Sequence, residues 1–319
     1  MVQALNRALR DSLATDDRVL VMGEDIGKLG GVFRVTEALQ EEFGTERVFD
    51  TPLAESAIAG VSLGLCLAGW RPVAEMQFDG FSYPALDQTI SHLAKYRYRS
   101  RGRQGVPLVM RIPFAGGIGA AEHHSESPET YFAHTAGLKV VVPSSALDAY
   151  TLLRRSIADP DPVVFLEPKS RYWSKESGDL SEDGLPIGKA RTVRDGGDCT
   201  IVAYGAMVAR SVQAAGTVAA DGIEVQVVDL RSLVPLDIGT LADSVRSTGR
   251  AVVVHEAPMT LGMGAEVAAR IMEEAFDHLE APVIRVTGYD TPYPPATLEH
   301  HYVPGVERIA NAVRRTIEY

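Results

Sequence analysis

Cysteine is nearly absent from the chain. Cys66 and Cys199 are the only two in 319 residues, too few and too scattered for a disulfide framework or a zinc site. Such usage suits a reducing compartment. Basic charge is also short: 31 Lys and Arg face 42 Asp and Glu, a formal net charge of -11. That balance argues against nucleic acid or an anionic membrane surface, and it fits a soluble protein or one with a basic partner. The core-length apolar run within residues 50–69 is too short to cross a bilayer. The opening VQALNRALRDSL reads as an amphipathic helix, not a signal peptide, and a mitochondrial leader would be longer and poor in acids. A bacterial-type cytoplasmic location is therefore expected. Also missing are an HExxH pair, a P-loop lysine, internal repeats and low-complexity tracts.

What remains is a chain comfortable for two domains, with an ordinary apolar fraction of 45%. Strands are expected at VLVMGE (19–24), RVFD (47–50), PVAEMQF (72–78), VPLVMRIP (106–113), LKVVVPS (138–144) and PVVFLEP (162–168). Helical spacing marks 31–43, a long amphipathic stretch at 83–99 and a segment between the last two strands. This alternation argues for a mostly parallel sheet covered by helices, with ligands at the carboxyl ends of its strands. The stretch 170–188, rich in Ser, Gly, Asp and Pro, reads as a linker. Beyond it strands at 199–205, 224–230, 250–256 and 282–288 alternate with helices near 206–221, 237–248, 264–277 and 305–318. The expected fold is α/β in two domains with mostly parallel sheets covered by helices, divided as 1–178 and 179–319. The proline-rich loop YDTPYPPATLEHHYVPG is expected to be ordered and is assigned no chemistry.

The stretch DTPLAESAIAGVSLGLCLAG (50–69) draws the most attention. Asp50, Thr51 and Pro52 read as a cap and first turn. A buried apolar helix then follows, with Glu55 at its mouth and Gly60 and Gly64 permitting close backbone approach. Glu55 either favours the positive end of the helix dipole or, in apolar surroundings, performs acid–base work. In the glycine-rich loop FAGGIGAAEHHSESPE (114–129), His123 and His124 stand beside hydroxyls and carboxylates that tune an imidazole, or else are plain surface residues. His134 is a candidate second imidazole. Gln77, Phe81 and Tyr83 follow a strand, where an aromatic either stacks on a flat ring or packs in the core. Arg231 and His255, near strand ends, face a substrate or hold domains or subunits together.

These stretches together resemble the beta subunit of the thiamine diphosphate-dependent 2-oxo acid dehydrogenases. The matching motifs span nearly the whole chain: GED (23–25), DTPLAES (50–56), AEMQFDGFSYPALDQ (74–88), AKYRYRS (94–100), HHSESPE (123–129), AGLKVVVPS (136–144), DPVVFLEPK (161–169), DLRSLVPLD (229–237) and TPYPP (291–295). The resemblance implies a transketolase-like pyrimidine-binding domain followed by a transketolase C-terminal-like domain. It assigns Glu55 to the aminopyrimidine of the cofactor, where a carboxylate sharing a proton with the ring nitrogen favours the imino tautomer. Leu53, Gln77 and Phe81 match the lining of that pocket. His124 matches the histidine assigned to proton transfer during reductive acylation of the lipoyl group. Ser156, Asp159 and Asp161 fall where branched-chain relatives bind potassium, with different ligand types here.

Thiamine enzymes hold magnesium and the diphosphate with a GDG motif, and none occurs in this chain. The resemblance therefore implies that an alpha subunit supplies half of the site and most of the Mg2+ ligation, in an assembly of two alpha and two beta chains. It also implies docking to a dihydrolipoyl acyltransferase core. HHSESPE and FLEPK look more like the branched-chain type, so 3-methyl-2-oxobutanoate is the expected substrate. Pyruvate or acetoin dehydrogenase is the alternative, and a non-catalytic α/β scaffold is a third reading.

Overall fold

The computed structural model describes residues 1–180 and 184–319; part of the expected linker, residues 181–183, lies outside the described residues. The chain forms two compact units. One comprises Met1–Phe114 and Tyr131–Ile187, the other Ala115–Thr130 and Gly188–Tyr319.

In the first unit, strands β1 (Val19–Gly23), β2 (Val48–Asp50), β3 (Arg71–Glu75), β4 (Val109–Phe114), β5 (Lys139–Val141) and β6 (Val163–Pro168) run in the order β5-β6-β4-β3-β1-β2. Every pairing among them is parallel. The register places Val48, Val21, Val73, Val109 and Val163 side by side across the sheet. These continuous apolar strands suit a sheet buried on both faces. Helix α1 (Val2–Thr15) buries Leu5, Leu9 and Leu13, a stripe at helical spacing, in the same core as Leu152 and Leu153. Each such side chain contributes roughly 1.5–3 kcal/mol of transfer free energy.

Several local expectations differ from the structure. Of residues 31–43, only α2 (Leu39–Phe43) is helical. The Thr36 hydroxyl donates to Ile26 O at 2.6 Å and the Phe33 ring stacks on Tyr172 at 4.6 Å, so tertiary contacts override the helical spacing. Asp50, Thr51 and Pro52 do not cap α3, which runs Glu55–Leu67 from Ala54. Asp50 instead accepts the Gly27 N–H at 2.7 Å. Helix α3 is not buried all round either: Ile58, Ala59, Ser62 and Cys66 are inside, while Val61 and Leu67 are exposed. The stretch 83–99 is broken into a 3-10 turn (Gly80–Ala85), α4 (Leu86–Gln88), a π turn (Thr89–Leu93) and α5 (Tyr96–Arg99). After α6 (Glu129–Ala133) comes α7 (Ala146–Ala158), where the Ser145 hydroxyl caps by accepting from Asp148 N at 3.1 Å.

In the second unit, β7 (Arg191–Arg194), β8 (Cys199–Ala203), β9 (Val225–Asp229), β11 (Ala251–Pro258) and β12 (Ile284–Gly288) form a sheet in the order β12-β11-β8-β9-β7. Strand β10 (Ser232–Val234) follows Arg231 in the chain. All pairings in that sheet are parallel except β7 with β9. Helices α8 (Ala206–Ala219), α9 (Ile238–Thr248), α10 (Met263–Ala275), α11 (Glu299–Tyr302) and α12 (Val306–Ile317) complete the unit. The Asp237 carboxylate caps α9 and Gly249, at φ 69°, ends it. Both cysteines are buried and free, and no described helix is long and apolar enough to cross a membrane.

Candidate active site

The first unit gathers carboxylates at the carboxyl ends of its strands. Glu24, directly after β1, is 4% exposed, and neither carboxylate oxygen has a hydrogen-bond partner among the described residues. Its pKa is pushed up to about 7, first by burial and then by the charges of Glu55 and Asp25. Glu55, half-buried, is the first residue of α3. Gln77, after β3, donates its side-chain amide to Asp25 at 2.9 Å. The Phe81 ring meets Phe78 edge-on at 5.9 Å, and the Lys169 ammonium lies 5.9 Å from the Phe78 ring centre. Lys169 also donates to Asp79 at 3.0 Å, with both side chains fully buried. Thus Glu55 and Gln77 come together around Glu24 and Asp25, and Phe81 sits in the turn just beyond Gln77. Leu53 is 80% exposed, two residues before Glu55.

Glu24 was not singled out from the sequence. A carboxylate ending a wholly apolar strand, VLVMGE, was the signal available. In the same unit the Arg111 guanidinium grips both oxygens of Glu167 at 2.7 and 2.8 Å and Glu75 at 2.5 Å, all within the interior. The Tyr172 hydroxyl donates to Glu167 at 2.6 Å. This network ties β3, β4 and β6 together.

The second unit carries His124. The segment Ala115–Thr130 closes on itself where Ala115 N donates to Glu126 O at 2.8 Å. His124, half-buried, ends a single 3-10 turn (Glu122–His124), and its ring lies 4.2 Å from that of exposed His123. Glu129 is fully buried and accepts the Tyr204 hydroxyl at 2.6 Å. Burial raises its pKa to about 7 against the lowering effect of that hydrogen bond. His255 is also fully buried, and burial lowers its pKa to about 4. Arg231 is buried and donates to Lys189 O at 2.6 Å, a structural anchorage. His134 is exposed and belongs to the first unit.

The third expected cluster is otherwise engaged. Lys139 donates to both oxygens of Asp159 at 2.7 Å, and Arg97 pairs with Asp161. The Ser156 hydroxyl donates to Leu152 O at 2.7 Å, within its own helix. These side chains therefore do not fit a potassium ion: covalently attached cations already neutralise both carboxylates. No group of three or more His, Cys, Asp or Glu able to hold a metal occurs among the described residues.

Residues 1–174 match the family described as transketolase, pyrimidine binding domain, and residues 188–309 match transketolase, C-terminal domain. The chain is 58% identical over 318 residues to the 3-methyl-2-oxobutanoate dehydrogenase subunit beta of Mycobacterium tuberculosis, covering 99% of this chain and 91% of that one. The chain belongs to the beta subunits of the 2-oxo acid dehydrogenases. Another beta subunit, that of the pyruvate dehydrogenase E1 component of Leifsonia xyli, is 53% identical, with 100% and 95% of the two chains covered. The 2-oxoisovalerate dehydrogenase subunit beta of Pseudomonas aeruginosa is 46% identical, again covering 100% and 95%. A solved structure titled split gene transketolase, inactive beta4 tetramer, superposes with a TM-score of 0.81 at 24% identity, covering 99% and 97%. It shares the two-domain α/β fold expected of a 2-oxo acid dehydrogenase beta subunit. The family is thiamine diphosphate-dependent. The unpartnered buried oxygens of Glu24 beside Glu55 suit a group that presents N–H donors, so the first unit fits the aminopyrimidine of that cofactor.

Proposed function

We propose that this chain, joined by an alpha subunit, oxidatively decarboxylates branched-chain 2-oxo acids, 3-methyl-2-oxobutanoate foremost. The acyl group then passes to lipoyl-lysine of a dihydrolipoyl acyltransferase core. The observation that carries this reading is the carboxylate pair Glu24 and Glu55 at the carboxyl ends of a parallel sheet, where open α/β sheets take their ligands. Bound thiamine diphosphate supplies an acidic thiazolium carbon and an electron sink. Glu55 shares a proton with a pyrimidine nitrogen, and Glu24, whose pKa of about 7 lets it exchange a proton near neutrality, stands beside it. Leu53, Gln77 and Phe81 line the pyrimidine pocket. His124 moves a proton during acyl transfer to the lipoyl group.

The absence of GDG assigns Mg2+ and the diphosphate to the alpha subunit in this reading. No potassium is assigned to Ser156, Asp159 and Asp161, because Lys139 and Arg97 hold the carboxylates. The active unit is an assembly of two alpha and two beta chains. The exposed apolar side of α3, with Val61, Gly64 and Leu67, supports a beta–beta contact there. The net charge of -11 suits a basic docking segment on the acyltransferase core. We keep the pyrimidine-binding domain as 1–178 and the C-terminal domain as 179–319, and place the protein in a bacterial cytoplasm.

The test is to purify the chain with and without its alpha subunit and supply thiamine diphosphate, magnesium and a panel of 2-oxo acids. An artificial electron acceptor reads out decarboxylation. Activity in the mixture alone, highest on branched substrates and abolished by Glu55→Ala, is the expected result. Preference for pyruvate would move the chain to the reading favoured by its 53% identity to the Leifsonia pyruvate subunit. Activity of the isolated chain would overturn the split site. An inactive but well-formed complex would favour the scaffold.

A further inference from the structure

The proline-rich loop of 289–305 bears on the catalytic loop. Gly116 and Gly117 lie at the base of the loop that carries His124, and neither has a side chain to anchor it. Their backbone is held by carboxylates instead. Glu256 on β11 accepts the Gly116 N–H at 3.1 Å, and Glu299, the first residue of α11, accepts the Gly117 N–H at 2.8 Å. The Tyr293 hydroxyl donates to the same Glu299 oxygen at 2.8 Å and so fixes that carboxylate. Tyr293 also fits against Gly116 so closely that a Cβ there would overlap its hydroxyl. Hydrogen bonds to an ionised acceptor are about twice as strong as neutral ones. Two of them on adjacent amides suppress the conformational freedom that glycine brings.

Little slack separates this grip from His124. Ala115 N is bonded to Glu126 O at 2.8 Å, His124 N to Ala121 O at 3.0 Å and Ser125 N to Glu122 O at 3.0 Å. Holding Gly116 and Gly117 therefore holds the frame in which the imidazole sits. We propose that Glu299, Tyr293 and Glu256 are positioning residues that set the place of His124 for acyl transfer, an inference that rests on the reading of His124 given above. The two tyrosine-and-carboxylate contacts come from the TPYPP motif and the residues after it, to which sequence alone assigned no chemistry.

The experiment uses the complex with the alpha subunit and compares two rates: reductive acylation of a free lipoyl domain, and decarboxylation read by an artificial acceptor. Hydrogen–deuterium exchange of the peptide spanning 114–120 reports the grip directly. In Glu299→Ala the amides of Gly116 and Gly117 exchange faster, and the ratio of acylation to acceptor rate falls about tenfold, since a displacement near 1 Å can cost up to about a hundredfold. Glu299→Gln retains an acceptor and restores most of the ratio. Tyr293→Phe, which removes a single hydroxyl, gives a smaller fall and serves if the alanine variant does not fold. Unchanged exchange overturns the grip, and faster exchange with an unchanged ratio overturns the positioning role. His124→Ala runs in parallel: if its ratio does not fall, the reading of His124 itself is wrong. If it falls while the Glu299→Ala ratio holds, the positioning role alone is wrong.

Discussion

Replacing Glu129 by glutamine should change the pH dependence of stability in a defined direction. In the folded chain this carboxyl is fully buried and its pKa stands at about 7, against an ordinary 4.5. Between those values the folded state keeps a proton that the unfolded state has released. Stability from this group therefore falls as pH rises through the window, and above pH 7 the buried charge is carried in full. Across that window, at about 1.4 kcal/mol per pH unit, the loss comes to roughly 3 kcal/mol. Glutamine is neutral throughout and still accepts the Tyr204 hydroxyl, so the variant isolates the charge. Its stability relative to wild type should be near zero difference at pH 4.5 and about 3 kcal/mol in its favour at pH 8. Urea unfolding of both proteins across that range, followed by near-ultraviolet circular dichroism, provides the test. A difference that stays constant with pH would refute the argument.

Arg111→Met should destabilise the first unit by about 3–5 kcal/mol, because two carboxylates, Glu75 and Glu167, remain inside without their cation. For a unit of this size that lowers the melting midpoint by roughly 10 °C; a shift of only a degree or two in calorimetry would refute it. Glu55→Gln removes one of the two charges that raise Glu24, so the Glu24 carboxyl should titrate at lower pH, while burial still keeps it above the ordinary value. Infrared difference titration follows that carboxyl directly, and an unmoved curve would show that the two groups do not share a field.

The regular elements were legible where apolar residues repeat. Every strand expected from an apolar run is present, and most are valine-rich segments buried on both faces of a parallel sheet, which need no other signal. Strand β7, RTVR, escaped notice because it is a short, half-exposed edge. Residues 31–38 have helical spacing but are held in turns, with Arg34 and Ala38 at positive φ, by contacts far away in the chain. At the site, Glu55, Gln77 and His124 were reached through motifs. Glu24 required knowledge of what surrounds it, since a proton affinity is a property of the folded interior and not of the residue. Likewise Arg111 in VPLVMRIP signals a buried cation, but only the fold reveals that its partners stand 36 and 56 residues away.

The grip on Gly116 and Gly117 also has a consequence for synthesis. Its acceptors lie 140 and 182 residues further along the chain. On the ribosome, the segment that bears His124 emerges long before Glu256 and Glu299 are translated, and its two glycine amides lack these acceptors until then. A nascent or prematurely terminated chain thus lacks a fixed His124 loop.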